Sequence, residues 1–172
     1  MLELTDEQYK LLFDELSLDE GMRLKVYSDT KGIKTVGIGC NIQAHDTKPI
    51  IGRKLTKIGE SITRAECLNL FKANLIDVCL IPLDMNLPVL TKQLDSVRLR
   101  ALINLCFNMG WGTLSTFKNT LAHLQSKNYI KAAENLMDSK WYKQVNTRGP
   151  RVVHMIQYGK PHHEYEKAYT SK

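Results

Sequence analysis

The run Glu20-Gly21-Met22-Arg23-Leu24-Lys25-Val26-Tyr27-Ser28-Asp29-Thr30-Lys31-Gly32-Ile33-Lys34-Thr35-Val36-Gly37-Ile38-Gly39 decides the fold. From Leu24 to Gln43, short segments rich in Val, Ile, Tyr and Thr are punctuated by Gly32, Gly37 and Gly39. That pattern predicts a small twisted hairpin or three-stranded sheet. Upstream, Thr5 and Gln8 have the spacing of a capping box, and Leu11, Leu12, Glu15 and Leu16 follow at helical intervals, so a first helix is expected to about Leu18. Glu20 then sits at a junction where a helix gives way to a hairpin.

Outward from this stretch the helical period dominates. Residues 44–61 carry Pro49, Gly52 and Gly59 and read as a loop with at most a short helical turn. Thr63 and Glu66 form a second capping box, and an apolar face from Ala65 to Val78 predicts a helix that runs to Pro82 and is able to join two lobes. Asp95 is a candidate N-cap for a helix through Met109, with further segments near 115–125, 128–138, 139–143 and 148–158. The expected fold is α+β and mostly helical. It forms one domain over 1–172: a β-containing lobe (19–62), a connecting helix (63–82), a helical lobe (83–160) packed with the N-terminal helix (5–18), and a basic tail (161–172).

The chain has 172 residues, enough to bury a core without staples. Its 24 Lys and Arg against 18 Asp and Glu give a net charge of +6, which draws it to polyanions at low salt; the charges are scattered, so nucleic acid, anionic lipid and acidic wall polymer are not separated by charge alone. Cys40, Cys67, Cys79 and Cys106 include no C-x-x-C pair and are expected as buried free thiols. The histidines His45, His123, His154, His162 and His163 combine with no cysteine pair into a zinc tetrad, so no metal and no cofactor are expected. The acidic, amphipathic N-terminus lacks the features of a signal peptide, and no stretch approaches the roughly twenty apolar residues of a membrane span, so synthesis and residence in the cytoplasm are expected.

Glycoside hydrolysis needs two carboxyl groups: one protonates the leaving oxygen, and the other stabilises charge or activates water. Glu20 just past a helix and Asp29 in the turn Tyr27-Ser28-Asp29-Thr30-Lys31-Gly32 are able to face one cleft from different elements. Thr35 on the next strand supplies a hydroxyl that can hold a water against Asp29. Each has an ordinary alternative: an acid near a helix end is commonly a solvated surface group, and Asp in a turn commonly satisfies backbone donors.

The motif Glu20-Gly21-x-Arg23-Leu24-x-x-Tyr27-x-Asp29-x-x-Gly32-x-x-Thr35-x-Gly37-Ile38-Gly39 resembles the active-site signature of the phage T4-type lysozymes, the muramidases of glycoside hydrolase family 24. A second stretch agrees: Ala101-Leu102-Ile103-Asn104 through Phe107-Asn108-Met109-Gly110, then Phe117, Ala132-Ala133, Asn135-Leu136, Trp141-Tyr142 and Arg148-x-x-Arg151-Val152 are similar to the helical lobe of that family. The resemblance implies a lysozyme-like fold with Glu20 as proton donor, Asp29 as second carboxylate and Thr35 beside the attacking water, with inversion at the anomeric centre. It implies that Arg148 pairs with the acid. Because such a pair favours the charged form of Glu20, orienting the acid explains Arg148 better than tuning it. Carried over residue by residue, the sugar contacts are Asn41, Phe107, Thr120 and Asn135, with Asn108 as a further candidate; Phe107 also reads as core and Asn135 as an intrahelical polar residue. Cys40 departs from the family, where a histidine forms a structural ion pair.

The implied activity is that of an endolysin cutting the β-1,4 bond between N-acetylmuramic acid and N-acetylglucosamine in peptidoglycan. The implied protein is a monomer with no nucleic-acid partner, reaching the wall through a separate holin. The alternatives are a catalytically silent wall-binding module and a membrane-active basic protein. The latter rests on the tail, where Lys160, His162, His163, Lys167 and Lys172 interleave with Tyr165 and Tyr169; such a tail suits anionic outer-membrane lipid, though a frayed, solvated terminus is the ordinary outcome. Trp111 and Trp141 read as packing residues.

Overall fold

In the computed structural model, which describes residues 1–171, helix α1 (Asp6–Glu20) opens on the expected capping box, with the Thr5 side chain accepting from the Gln8 amide and the Gln8 side chain from that of Thr5. It runs two residues past Leu18, so Glu20 is its last residue. Two carboxylates at a helix C-terminus oppose the helix dipole. Arginines from a distant helix offset this, as described below. Gly21 (φ 78°, ψ 155°) then reverses the chain in a conformation that side chains scarcely tolerate.

The sheet is antiparallel in the order β1 (Arg23–Ser28), β2 (Lys34–Gly37), β3 (Cys40–Asn41), with Tyr27 opposite Thr35 and Thr35 opposite Asn41. Residues 59–62 bond along the other edge of β1. The loop holds only the one-turn helix α2 (Lys48–Ile51).

Helix α3 (Arg64–Leu75) begins on the second capping box, then widens into a π-helical turn (Ile76–Leu80) that leads into α4 (Ile81–Asn86). Pro82 was expected to end this rod, yet the rod continues through Asn86. The reason is local: proline lacks an N–H and crowds the preceding turn, and the wide turn relieves the crowding. The Val78 carbonyl, four residues before Pro82, instead accepts the Cys106 thiol at 3.7 Å.

After α5 (Pro88–Gln93), Asp95 caps α6 (Ser96–Leu114) by accepting from the Arg98 amide at 3.0 Å. α6 breaks its helical geometry at Gly110 (φ 77°, ψ 157°), one residue after the expected end. The rest is α7 (Lys118–Gln125), α8 (Tyr129–Met137), α9 (Lys140–Gln144), α10 (Arg148–Tyr158) and α11 (His163–Thr170). One continuous apolar core extends from Val36 and Ile38 of the sheet through Phe71 to Leu102 and Ile156. α1 packs on α3, α6 and α11. Among the described residues, no helix is long and apolar enough to cross a membrane.

The tail departs from the frayed, solvated terminus that its composition allows: residues 163–170 form a helix whose Tyr165 is fully buried and whose Tyr169 reaches Glu15. Lys172 lies outside the described residues. All four cysteines are buried and free; burial pushes the Cys40 thiol up to about 11.

Candidate active site

Glu20 is placed by two constraints. The end of α1 carries it to a groove, and Arg148, at the first turn of α10, holds it there: Arg148 Nη1 donates to Glu20 Oε1 at 2.5 Å. The Glu20 side chain is 28% exposed and that of Arg148 only 7%. The guanidinium is in turn fixed from behind. Its Nε donates to Asn104 Oδ1 at 2.9 Å and lies 3.7 Å from Asp19 Oδ2, while Nη2 is buried without an acceptor among the described residues.

Asp19 is the hub of this buried network. Its fully buried carboxylate accepts from Arg151 Nη1 at 2.8 Å, Asn104 Nδ2 at 2.8 Å and the Tyr165 hydroxyl at 2.5 Å. Burial, and then the adjacent Asp19 charge, push the Tyr165 hydroxyl far above its ordinary range, so it remains a donor. Arg151 also grips Glu164 at 2.6 Å, and this holds the Glu164 carboxyl below its usual range. Sequence reading assigned no role to Asp19, and none at this site to Asn104, Arg151 or Tyr165. The available signals were an acid adjacent to Glu20 and the spacing of Arg148 and Arg151, which puts both on one face of α10.

The groove, about 410 Å³, is lined by Glu20 with Asn41, His45, Phe107, Asn108 and Gly110, among others. It therefore gathers Glu20 with three of the expected sugar contacts. Phe107 is half-buried and tilted against Phe71 at 6.1 Å, which braces its ring at the groove wall. Asn108 Oδ1 accepts from Trp141 Nε1 at 2.7 Å, which leaves its amide N–H groups for a ligand and makes Trp141 a packing and orienting residue. Asn41 Oδ1 accepts from the Gln43 and Ala44 amides, so its N–H groups are likewise the ones left to face the groove.

Asp29 and Thr35 are not among the residues lining this groove. Asp29 lies in the turn between β1 and β2, and Thr35 in β2. Thr35 is cross-strand partner to Asn41, so the two share a sheet face. The Thr35 hydroxyl donates to the Ile33 carbonyl at 3.0 Å, which leaves its lone pairs to accept a hydrogen from water. Asp29 Oδ1 accepts from the Lys31 and Ile33 amides, both at 2.8 Å, and fixes the turn. The turn role and a role for Oδ2 are thus compatible in one side chain.

Thr120 is fully buried, and its hydroxyl donates to Asn135 Oδ1 at 2.5 Å, so its side chain faces Asn135 and not open solvent. Its effect is to orient Asn135, whose partly exposed amide is the group a sugar can meet.

Residues 18–155 match the phage lysozyme family. The chain is 33% identical over 158 residues to probable T4-type lysozyme 1 of Dictyostelium discoideum, covering 85% of this chain and 93% of that protein. It is 31% identical over 119 residues to the endolysin of Salmonella phage P22, covering 69% and 73% respectively. It is 32% identical over 164 residues to the pre-baseplate central spike protein Gp5 of Enterobacteria phage T4, spanning 88% of this chain but only 28% of that longer protein. With a matched span that includes Glu20, Asp29, Thr35 and Arg148, the chain belongs to the phage lysozyme family of peptidoglycan-hydrolysing glycoside hydrolases.

Proposed function

We propose that the chain is an inverting N-acetylmuramidase that cuts the β-1,4 bond between N-acetylmuramic acid and N-acetylglucosamine. The observation that carries this reading is Glu20, held by a buried arginine at the wall of a groove that also presents an aromatic ring and amide groups. Sugars offer apolar faces and hydroxyl edges, which these groups match. Arg148 occupies Glu20 Oε1 and leaves Oε2 to carry the proton to the leaving oxygen. As that bond breaks, a water attacks the anomeric carbon from the opposite face. Asp29 Oδ2 takes the proton of that water, and the Thr35 oxygen accepts its other hydrogen, so the remaining lone pair points at carbon.

The reading extends to a monomeric endolysin that waits in the host cytoplasm and reaches the wall once a holin opens the membrane. Its net charge of +6 favours approach to an acidic polymer. The test is mass analysis of digested peptidoglycan together with the Glu20→Gln variant. Muramic acid at the new reducing ends is expected, with turnover reduced by at least about 10²–10⁴ in the variant and an unchanged circular dichroism spectrum. Glucosamine reducing ends or anhydro ends would refute the bond assignment, and undiminished turnover by Glu20→Gln would refute the acid assignment. A silent wall-binding module predicts binding without any new reducing ends.

A further inference from the structure

We propose that His162, His163 and Glu164 form a binding site for a divalent transition-metal ion, with Zn²⁺ the best match to its donors, at the turn where α10 hands over to α11. The ligand atoms of these three residues lie within 4.8 Å of one another. The turn that caps α11 produces this arrangement, because it brings the His162 and His163 rings together, tilted by 35° with centroids 4.2 Å apart. From α10, His154 sets its ring edge-on to His162 at 5.4 Å and walls the site on that side.

The donor set selects the cation class. Two imidazoles and one carboxylate suit Zn²⁺ and its neighbours, whereas Ca²⁺ and Mg²⁺ require more oxygens. Glu164 is oriented by Arg151 at 2.6 Å through one oxygen, an outer partner of the kind that aims metal-binding carboxylates. Tetrahedral zinc sets its ligands roughly 3.3 Å apart, so the exposed His163 side chain turns inward on binding. His162 Nδ1 accepts the Glu164 amide at 3.2 Å, and ligation through that atom exchanges a long cap bond for a metal bond. A helix N-terminus disfavours a cation, but Glu164 and Glu166 in the first turn of α11 offset this.

The bound ion would fasten the start of α11 beside the arginine that grips Asp19. Reading the sequence missed the site because its histidines were weighed only in combination with cysteine pairs; here adjacent histidines converge through a helix cap.

The test uses the full chain without an affinity tag, stripped with chelator. Calorimetric titration with Zn²⁺ is expected to give one ion per chain, and Co²⁺ to give visible d–d absorption. His163→Ala should weaken Zn²⁺ binding at least tenfold and abolish the Co²⁺ bands. His162→Asn, which keeps a capping side chain while removing the imidazole, should do the same. Zn²⁺ should raise the thermal midpoint of the wild type but of neither variant. Absence of saturable one-to-one binding, or equal affinity in wild type and both variants, overturns the proposal.

Discussion

Replacing Asp19 with Asn is the sharpest probe of how the acid is held, because the substitution keeps shape and removes charge. Asp19 accepts three hydrogen bonds: from Arg151 on Oδ1, and from Asn104 and Tyr165 on Oδ2. An amide fits neither way round. With its nitrogen toward Arg151 it sets donor against donor; with its nitrogen on the other side it meets the Asn104 amide, which cannot flip because Asn104 Oδ1 already serves Arg148. Two nearly buried guanidinium groups, 7% and 11% exposed, also lose their shared counter-charge. Breaking a buried pair in this way costs about 3–5 kcal/mol. For a chain of this size that corresponds to a fall of roughly 6–20 °C in thermal midpoint. Urea unfolding with an unchanged m-value gives the free energy directly. Tyr165→Phe is the internal comparison: it removes the bond donated to Asp19 and a long one accepted from Asn104, leaves Asp19 two bonds, and should cost about 1.5–3 kcal/mol. If Asp19→Asn lies within about 1 kcal/mol of wild type, or Tyr165→Phe is the more damaging of the two, the hub assignment is wrong.

The Glu15–Arg100 pair predicts a strongly non-additive cycle. Both side chains are buried, Glu15 Oε2 has no partner among the described residues, and burial is the main cause that raises the Glu15 carboxyl above its ordinary range. Glu15→Met or Arg100→Leu alone should each cost about 3–5 kcal/mol at neutral pH, while the double variant should be neutral or more stable; urea midpoints showing that the losses add would contradict this. Arg53 and the Thr63 backbone hold the Glu66 carboxyl down at about 2, from an ordinary 4.5. A depressed acid contributes stability above its unfolded value and loses it as pH falls toward the folded one, so Arg53→Ala should flatten the decline in unfolding free energy between about pH 4.5 and 2. Equal slopes in variant and wild type would count against that contact. Gly110→Ala should cost about 1–3 kcal/mol, because φ 77°, ψ 157° is glycine territory although no atom crowds a new Cβ; a stability unchanged in urea would show that the bend relaxes freely.

What was legible in the sequence follows from how locally each feature is determined. The capping pairs Thr5/Gln8 and Thr63/Glu66, the Asp95 cap and the end of regular helix at Gly110 act within a few residues, and all four stand where their spacing put them. Pro82 misled because the π-helical turn that accommodates it lies before it and has no residue signature of its own. Glu20 and Arg148, 128 residues apart, were paired through family resemblance, since a contact so remote leaves no periodic trace.

The network behind Arg148 was legible only in part, and the reason is physical. Asp19 is a poor helix C-terminal residue and Tyr165 lies in a segment whose composition reads as a solvated tail; each looks unfavourable until the other is present. Once α11 docks, the hydroxyl and two arginine-bearing contacts turn the unfavourable end of α1 into the anchor of Arg148. The position of Glu20 therefore depends on the last helix as much as on the first. A chain shortened before Tyr165 should lose precision at the groove before it loses its fold: Michaelis constants for soluble glycan fragments would change little, while turnover falls. An equal loss in both would place the role of α11 in stability alone.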